Sequence, residues 1–116
     1  MKRATTPNHI FVLPVESDSV QKFLLTYAQN GKIILEKSEK DMTVLGREWS
    51  VVLSQDETKL FKSDYANAQV RVLMNDGKAL ASDVFRIYVG LVLNDEELVS
   101  TRESALNLKN RMRCFR

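Results

Sequence analysis

Two tight-turn dipeptides, Asn30-Gly31 and Asp76-Gly77, each stand between runs in which apolar and polar residues alternate. The run before the first turn places large apolar side chains at every second position: Phe23, Leu25 and Tyr27. Asn-Gly and Asp-Gly tolerate the positive φ angles of two-residue hairpin loops, and alternation is typical of strands with one buried face. Together these patterns predict antiparallel hairpins and therefore an all-β protein.

Short runs of the same character extend along most of the chain. We expect six or seven strands, at about residues 9–14, 20–29, 32–36, 42–45, 48–53, 68–74 and 79–89. Six or seven short strands within about 80 residues favour an immunoglobulin-like or fibronectin-like antiparallel β-sandwich, with a small barrel as the alternative. The sandwich predicts four large side chains between its layers: Phe23, Trp49, Val72 and Phe85.

The remaining segments divide the chain. Ser54 and Glu57 have the spacing of a capping box, which predicts a short corner helix running to Phe61. Residues 63–67 are expected to form a connector, with the Tyr65 hydroxyl bonded to the backbone. Capping patterns after Gly90 predict a helix over about 95–110. The expected organisation is a disordered lead at residues 1–7, a sandwich domain at 8–93 and a helical or flexible basic tail at 94–116.

Length and composition indicate one ordinary globular domain. The chain has 116 residues, of which 44% are hydrophobic and 28% charged, and its net charge is +2. Cys114 is the single cysteine, which excludes an internal disulfide and favours intracellular synthesis. No segment has the length and apolar character of a signal-peptide core or a membrane span, so we expect a soluble protein with no membrane partner.

The sequence offers little catalytic or ligand-binding equipment. His9 is the only histidine, and its place in a predicted strand favours a structural side chain over a general base. The four glycines stand singly, so no phosphate-binding loop is formed. The consecutive acids at 95–97 are better explained as charges at a helix N-terminus than as metal ligands. We therefore expect no catalytic residue, no cofactor and no metal site.

A cluster of basic residues near the C-terminus is the one candidate contact site for an anion or a nucleic acid: Arg102, Lys109, Arg111, Arg113 and Arg116. Phe115 is the only aromatic residue among them, whereas single-strand binding usually needs several stacking platforms. A solvated charged face is therefore the favoured interpretation, and nucleic acid is not expected to be the main partner.

Several segments together resemble a known group of proteins: residues 26–31, 53–58, 70–77, 81–85 and 93–96. The chain resembles small proteins encoded in the structural-gene modules of tailed phages and prophages of Gram-positive bacteria. More distantly, it is similar to the N-terminal sandwich domain of phage upper baseplate proteins. The resemblance covers about residues 5–98 and rests on turns and strand edges, so no functional residue can be carried over.

The resemblance implies a non-enzymatic virion, tail or baseplate component that acts through protein–protein contacts. Its partners would be other phage structural proteins or further copies of itself, and it would be made in the host cytoplasm and carried in the virion. Charged residues at 36–40 would guard one strand edge, so specific assembly would use another surface. The alternatives are a small phage inhibitor of a host protein and a nucleic-acid-binding accessory protein that uses the basic tail.

Overall fold

The computed structural model describes residues 1–94 and 96–99. Eight strands occur in this part of the chain: β1 (Asn8–Val12), β2 (Val20–Gln29), β3 (Lys32–Ser38), β4 (Thr43–Leu45), β5 (Glu48–Val52), β6 (Asp64–Met74), β7 (Ala79–Ala81) and β8 (Phe85–Val89). One short helix, α1 (Gln55–Thr58), follows β5, and 3-10 turns occupy Ser17–Ser19 and Glu39–Asp41.

The strands form two antiparallel sheets that pack face to face. One sheet has the order β1-β5-β4. The other has the order β3-β2-β6, and both β7 and β8 pair with β6, each along a different part of it. The predicted β-sandwich with a corner helix is therefore confirmed.

Both predicted hairpin turns are present. Asn30 and Gly31 have φ angles of 54° and 76° and connect β2 to β3. Gly77, with a φ of 91°, lies in the turn that connects β6 to β7. The positive angles explain why glycine and asparagine stand at these positions.

The core lies where β2 and β6 face β5. The Phe23 ring, from β2, stacks on the Trp49 ring, from β5, with 4.5 Å between centroids and 5° between planes. Tyr27 meets Phe61 edge-on at 5.6 Å. The predicted burial of Phe23, Trp49 and Val72 is confirmed.

The predicted burial of Phe85 is wrong, because that side chain is 44% exposed. Phe85 begins β8, which lies beside β6 at the margin of its sheet. The opposite sheet ends at β1, and Phe11 is the ring that reaches Phe85, at 6.0 Å. One side of Phe85 therefore remains open to solvent.

Two predicted boundaries are also wrong. The expected connector at 63–67 belongs mostly to β6, because β8 pairs with Asp64 and the residues after it. The expected single strand at 79–89 is two strands, and Ser82 lies in the gap between them. The Ser82 hydroxyl accepts a hydrogen bond from the Val70 amide, 3.0 Å away, in place of a backbone carbonyl. This side-chain bond interrupts the ladder and separates β7 from β8.

The first seven residues, expected to be disordered, make specific backbone contacts. The Met1 amino group donates to the Tyr88 carbonyl at 2.9 Å, and the Gly90 amide donates to the Met1 carbonyl at 2.7 Å. The buried Thr58 hydroxyl donates to the carbonyl of Thr5 and accepts from its amide. These contacts connect the segment to the end of β8 and to α1.

The predicted C-terminal helix lies mostly outside the described residues. Residues 96–99, which it would include, form neither helix nor strand. Cys114 and the five basic residues of the candidate anion site also lie outside the described part of the chain.

The capping box of α1 provides a direct test of this local structure. The Ser54 hydroxyl accepts a hydrogen bond from the Glu57 amide, and the Glu57 carboxylate accepts one from the Ser54 amide. Removing an N-cap hydroxyl costs about 1 kcal/mol. We expect Ser54→Ala to lower the free energy of unfolding by about that amount in urea denaturation. Ser63→Ala, at an exposed serine, is the matched control, and an equal loss in both variants would contradict the role of the cap.

Candidate functional site

His9, the one candidate for acid–base chemistry, joins the two sheets. Its Nδ1 atom lies 2.5 Å from the Tyr27 hydroxyl, so a contact from β1 reaches β2. Burial raises the pKa of Tyr27, and the negative charge of Glu57 raises it further. The Tyr27 hydroxyl therefore remains protonated and donates a hydrogen bond to the neutral imidazole of His9. Burial, together with the positive N-terminus, lowers the pKa of His9. The pair acts as an inter-sheet polar contact.

Among residues 1–94 and 96–99, no three His, Cys, Asp or Glu side chains are grouped so that they could hold a metal ion. Within these residues, no helix has the length and apolar character needed to cross a membrane.

A long apolar groove opens between the two sheets. It has a volume of about 590 Å³. One side is formed by β1 and the residues that follow it, and the other side by the segment that connects β7 to β8. Its lining includes Val70 and Val72 of β6, Leu80 and Phe85 beside them, and Ile10 and Val12 of β1. Leu80 and Phe85 are each 44% exposed, so this groove leaves large apolar side chains in contact with solvent.

The edge of β1 beside this groove is unpaired. Leu13 donates its amide hydrogen to Arg47, and Leu53 donates to Pro7, so the odd-numbered residues of this stretch bond to β5. In an antiparallel ladder the intervening residues direct their N–H and C=O groups the other way. Ile10 and Val12 therefore present backbone donors and acceptors to the open side, which is a surface to which another strand can add.

The outward side of the same sheet carries a second apolar feature, here called the outer apolar face. It consists of four side chains: Ile10, Val12, Leu45 and Val52. They are 55%, 69%, 78% and 60% exposed, respectively. In the strand register, Val52 of β5 lies opposite Asn8 of β1. Glu48 of β5 lies between Val12 of β1 on one side and Leu45 of β4 on the other. The solvated face of an antiparallel sheet is normally polar, whereas this face carries four apolar side chains around the exposed Glu48 of β5.

At β3, the edge of the other sheet, charged side chains stand at Lys32, Glu36 and Lys37. Lys37 forms an ion pair with Glu57. A hydrogen bond from the Phe23 amide lowers the pKa of Glu39, whose carboxylate accepts it at 3.0 Å. In contrast, β1 has the sequence Asn-His-Ile-Phe-Val and carries no acidic, lysine or arginine side chain. The edges of β1 and β3 therefore differ in kind, since β3 carries charged side chains and β1 carries none of them.

A smaller exposed cluster lies on the outside of the other sheet. The rings of Tyr65 and Tyr88 meet at 5.4 Å, and the Arg86 guanidinium lies 4.1 Å above the Tyr65 ring. The expected hydrogen bond from the Tyr65 hydroxyl to the backbone is not present within the described residues, because the ring faces outward. Arg86 and Tyr88 point outward as their alternation predicts.

Sequence reasoning located β1 but missed its role. Residues 10–13 form an uninterrupted apolar run, Ile-Phe-Val-Leu, instead of an alternating one. Such a run is typical of a strand that is covered on both faces. The described structure covers only the inward face of β1, so Ile10 and Val12 remain exposed.

Comparison with known proteins supports the fold. No protein-family model matches the sequence, and no curated protein matches it. In structure, the chain is similar to the crystal structure of CopC from Methylosinus trichosporium OB3b. The TM-score is 0.53 at 15% sequence identity, and the match covers 80% of this chain and 85% of that one. At this identity the likeness establishes a shared fold.

The His9–Tyr27 contact predicts a specific pH dependence. Because the pKa of His9 is lower in the folded chain than its ordinary 6.5, the unfolded chain binds the proton first as the pH falls. The contribution of His9 to folding stability is complete above about pH 6.5, and it is lost as the pH falls through the pKa that His9 has in the folded chain. The pKa values of Glu39 and Glu57 are also lowered, but from 4.5, so their contributions are lost only in more acidic solution.

We therefore expect the free energy of unfolding of the native protein to decrease as the pH is lowered from about 7.5 to about 5. His9→Gln should remove most of this slope, because His9 is the only histidine. Urea denaturation at several pH values in this interval measures the effect. An unchanged slope in the variant would show that His9 is not its source.

Proposed function

We propose that this chain is a non-enzymatic structural protein of a tailed phage or prophage particle, associated with the tail or baseplate. It acts through protein–protein contacts made by the outer apolar face and the adjoining edge of β1. The observation that carries the proposal is the outer apolar face, which extends over β1, β5 and β4 beside an edge of β1 that lacks charge. The resemblance to proteins of phage structural-gene modules supplies the biological setting.

The energetics favour a contact at this place. Fully burying a valine, leucine or isoleucine side chain contributes about 1.5–3 kcal/mol. All four side chains of the outer apolar face are more than half exposed, so most of this contribution remains available to a partner. A partner that also pairs with Ile10 and Val12 would gain main-chain hydrogen bonds in a fixed register.

The geometry also supports assembly from repeated copies. The outer apolar face and the bare edge of β1 lie on one sheet and define a direction of contact, while β3, on the other sheet, carries charged side chains. Because the contact surface lies on β1 and its neighbours while β3 carries charged side chains, open-ended edge-to-edge growth is limited. A self-complementary contact at this surface would close as a two-fold dimer, whereas a contact with a different surface of the next copy or of another particle protein could close a ring or fix a position in a larger particle.

Val12→Lys tests the proposed contact surface. Lysine at this position places a charge in the outer apolar face, and desolvating that charge should weaken association at least tenfold, which is about 1.4 kcal/mol. Ile33→Lys is the matched control, because Ile33 is 61% exposed but lies on β3. Native mass spectrometry and analysis of purified particles measure oligomer formation and incorporation.

The expected result is that the native chain and Ile33→Lys form defined oligomers or co-purify with particles, whereas Val12→Lys does not. Unfolding midpoints should be similar in all three proteins. A native chain that stays monomeric and never enters particles would overturn the proposal. Recovery of one host enzyme from a lysate, with no particle association, would favour the inhibitor function in its place.

A further inference from the structure

We propose that the outside of the wider sheet carries a binding site for single-stranded nucleic acid. The wider sheet is the one that contains β2, β3, β6, β7 and β8. The site is formed by Tyr65, Tyr88, Arg86 and Lys2, here called the tyrosine cluster. It shares no residue with the outer apolar face or with the lining of the groove, so the inference goes beyond the proposed function.

Strand alternation brings the two tyrosines together on the solvent side. The register places Tyr65 of β6 opposite Tyr88 of β8, and Asn67 opposite Arg86. Successive side chains of a strand point to opposite faces, so the buried Ala66 points inward while its neighbours point to solvent. Tyr65 and Tyr88 are 50% and 57% exposed. Their ring planes meet at 69°, so neither ring fully covers a face of the other, and aromatic surface remains free for a ligand.

The Arg86 guanidinium is positioned by one of these rings. It lies 4.1 Å from the centre of the Tyr65 ring, in a cation–π contact. Stacking restricts the arginine side chain, while the N–H groups at the edge of the guanidinium plane remain able to donate. A guanidinium held in this way is suited to bidentate recognition of a phosphate group.

Lys2 brings a second cation to the other tyrosine. Lys2 and Gly90 form a parallel β-bridge, and Gly90 follows Tyr88 by two positions, so both face the same side of the chain. The Lys2 Nζ atom and the Tyr88 Cε2 atom each lie 3.7 Å from the position that a Cβ atom of Gly90 would take. Because glycine has no side chain, the ammonium group lies directly beside the ring.

Both cations are available to an anion. In the described part of the chain, neither Arg86 nor Lys2 has an acidic partner within ion-pair distance. Asp64 is the acidic residue of the β6–β8 pair, and its carboxylate accepts a hydrogen bond from the Tyr65 amide at 2.7 Å. The tyrosine cluster therefore combines two unpaired cations with one engaged acid, which favours a negatively charged ligand.

Rings and unpaired cations together identify the class of ligand. Proteins that bind single strands combine positive charge along the backbone with aromatic rings on which bases stack. Tyr88 would stack a base, and Arg86 and Lys2 would contact phosphate groups on either side of it. Asn67, exposed beside Arg86, can both donate to and accept from a base edge.

Other anionic ligands fit the tyrosine cluster less well. The bases of a duplex are already stacked and paired, and the face of this sheet has no helix or projecting ribbon that could enter a groove. An acidic peptide would use the cations but would gain little from the rings. The unstacked bases of a single strand use both.

Fluorescence anisotropy with a labelled oligodeoxythymidine of about 12 nucleotides tests the stacking role. The full-length chain is used, so that residues 102–116 are the same in every protein compared. We expect Tyr88→Ala to weaken binding at least fivefold, because a base loses its stacking partner, whereas Tyr88→Phe should retain the affinity. Phe85→Ala is the matched control, because it removes a partly exposed ring from the same strand but from its other face.

The salt dependence of the same binding tests the role of Arg86. Arg86→Gln should reduce the slope of log K against log salt concentration by about 0.7, the contribution of one phosphate contact on a single strand. Lys78→Gln is the control, because Lys78 is exposed in the turn that connects β6 to β7 and should leave the slope unchanged. Unfolding midpoints show that each variant is folded.

Three results would overturn the proposal. The first is no binding of the oligonucleotide at low salt, and the second is equal affinity of the native chain and Tyr88→Ala. The third is binding of poly-glutamate that is as tight as that of the oligonucleotide and unaffected by Tyr88→Ala, which would assign the cluster to acidic peptides. None of these variants alters the outer apolar face, so assembly can succeed or fail independently.

Discussion

The stacking of Phe23 on Trp49 is the contact on which the arrangement of the two sheets depends. The two rings come from opposite sheets and lie nearly parallel at 4.5 Å. Aromatic side chains of this size bury more area than any other pair, so they fix both the separation of the layers and their alignment. Tyr27 and Phe61 extend the same packed region toward α1, and the His9–Tyr27 contact joins β1 to it.

This alignment leaves the sandwich asymmetric. The sheet that contains Trp49 has three strands, and the sheet that contains Phe23 is wider because β6 accepts both β7 and β8. The narrow sheet cannot cover the full width of the broad one, so apolar surface remains uncovered along β1 and β7. The groove and the exposed side of Phe85 are two consequences of the same mismatch in width.

The sequence predicted those features that depend on neighbouring residues. Alternation and turn chemistry located both hairpins, and the spacing of Ser54 and Glu57 located the start of α1. What it could not supply was long-range pairing. The partnership of β8 with β6 converted an expected connector at 63–67 into strand, and the Ser82 hydroxyl divided an expected strand at 79–89. The candidate site was missed for the same reason, because an unpaired edge is defined by which strand is absent beside it.

The contrast between the two margins of the molecule has a physical consequence. An uncharged, apolar strand edge promotes indiscriminate pairing, and proteins usually block such edges with charge, as β3 does here. Leaving β1 and β7 unblocked is compatible with a well-behaved protein only if something specific covers them. The groove needs an extended segment with one apolar face, whereas the outer apolar face needs a flat complementary surface. The two surfaces share Ile10 and Val12, so a partner strand that adds to the edge of β1 would cover part of both.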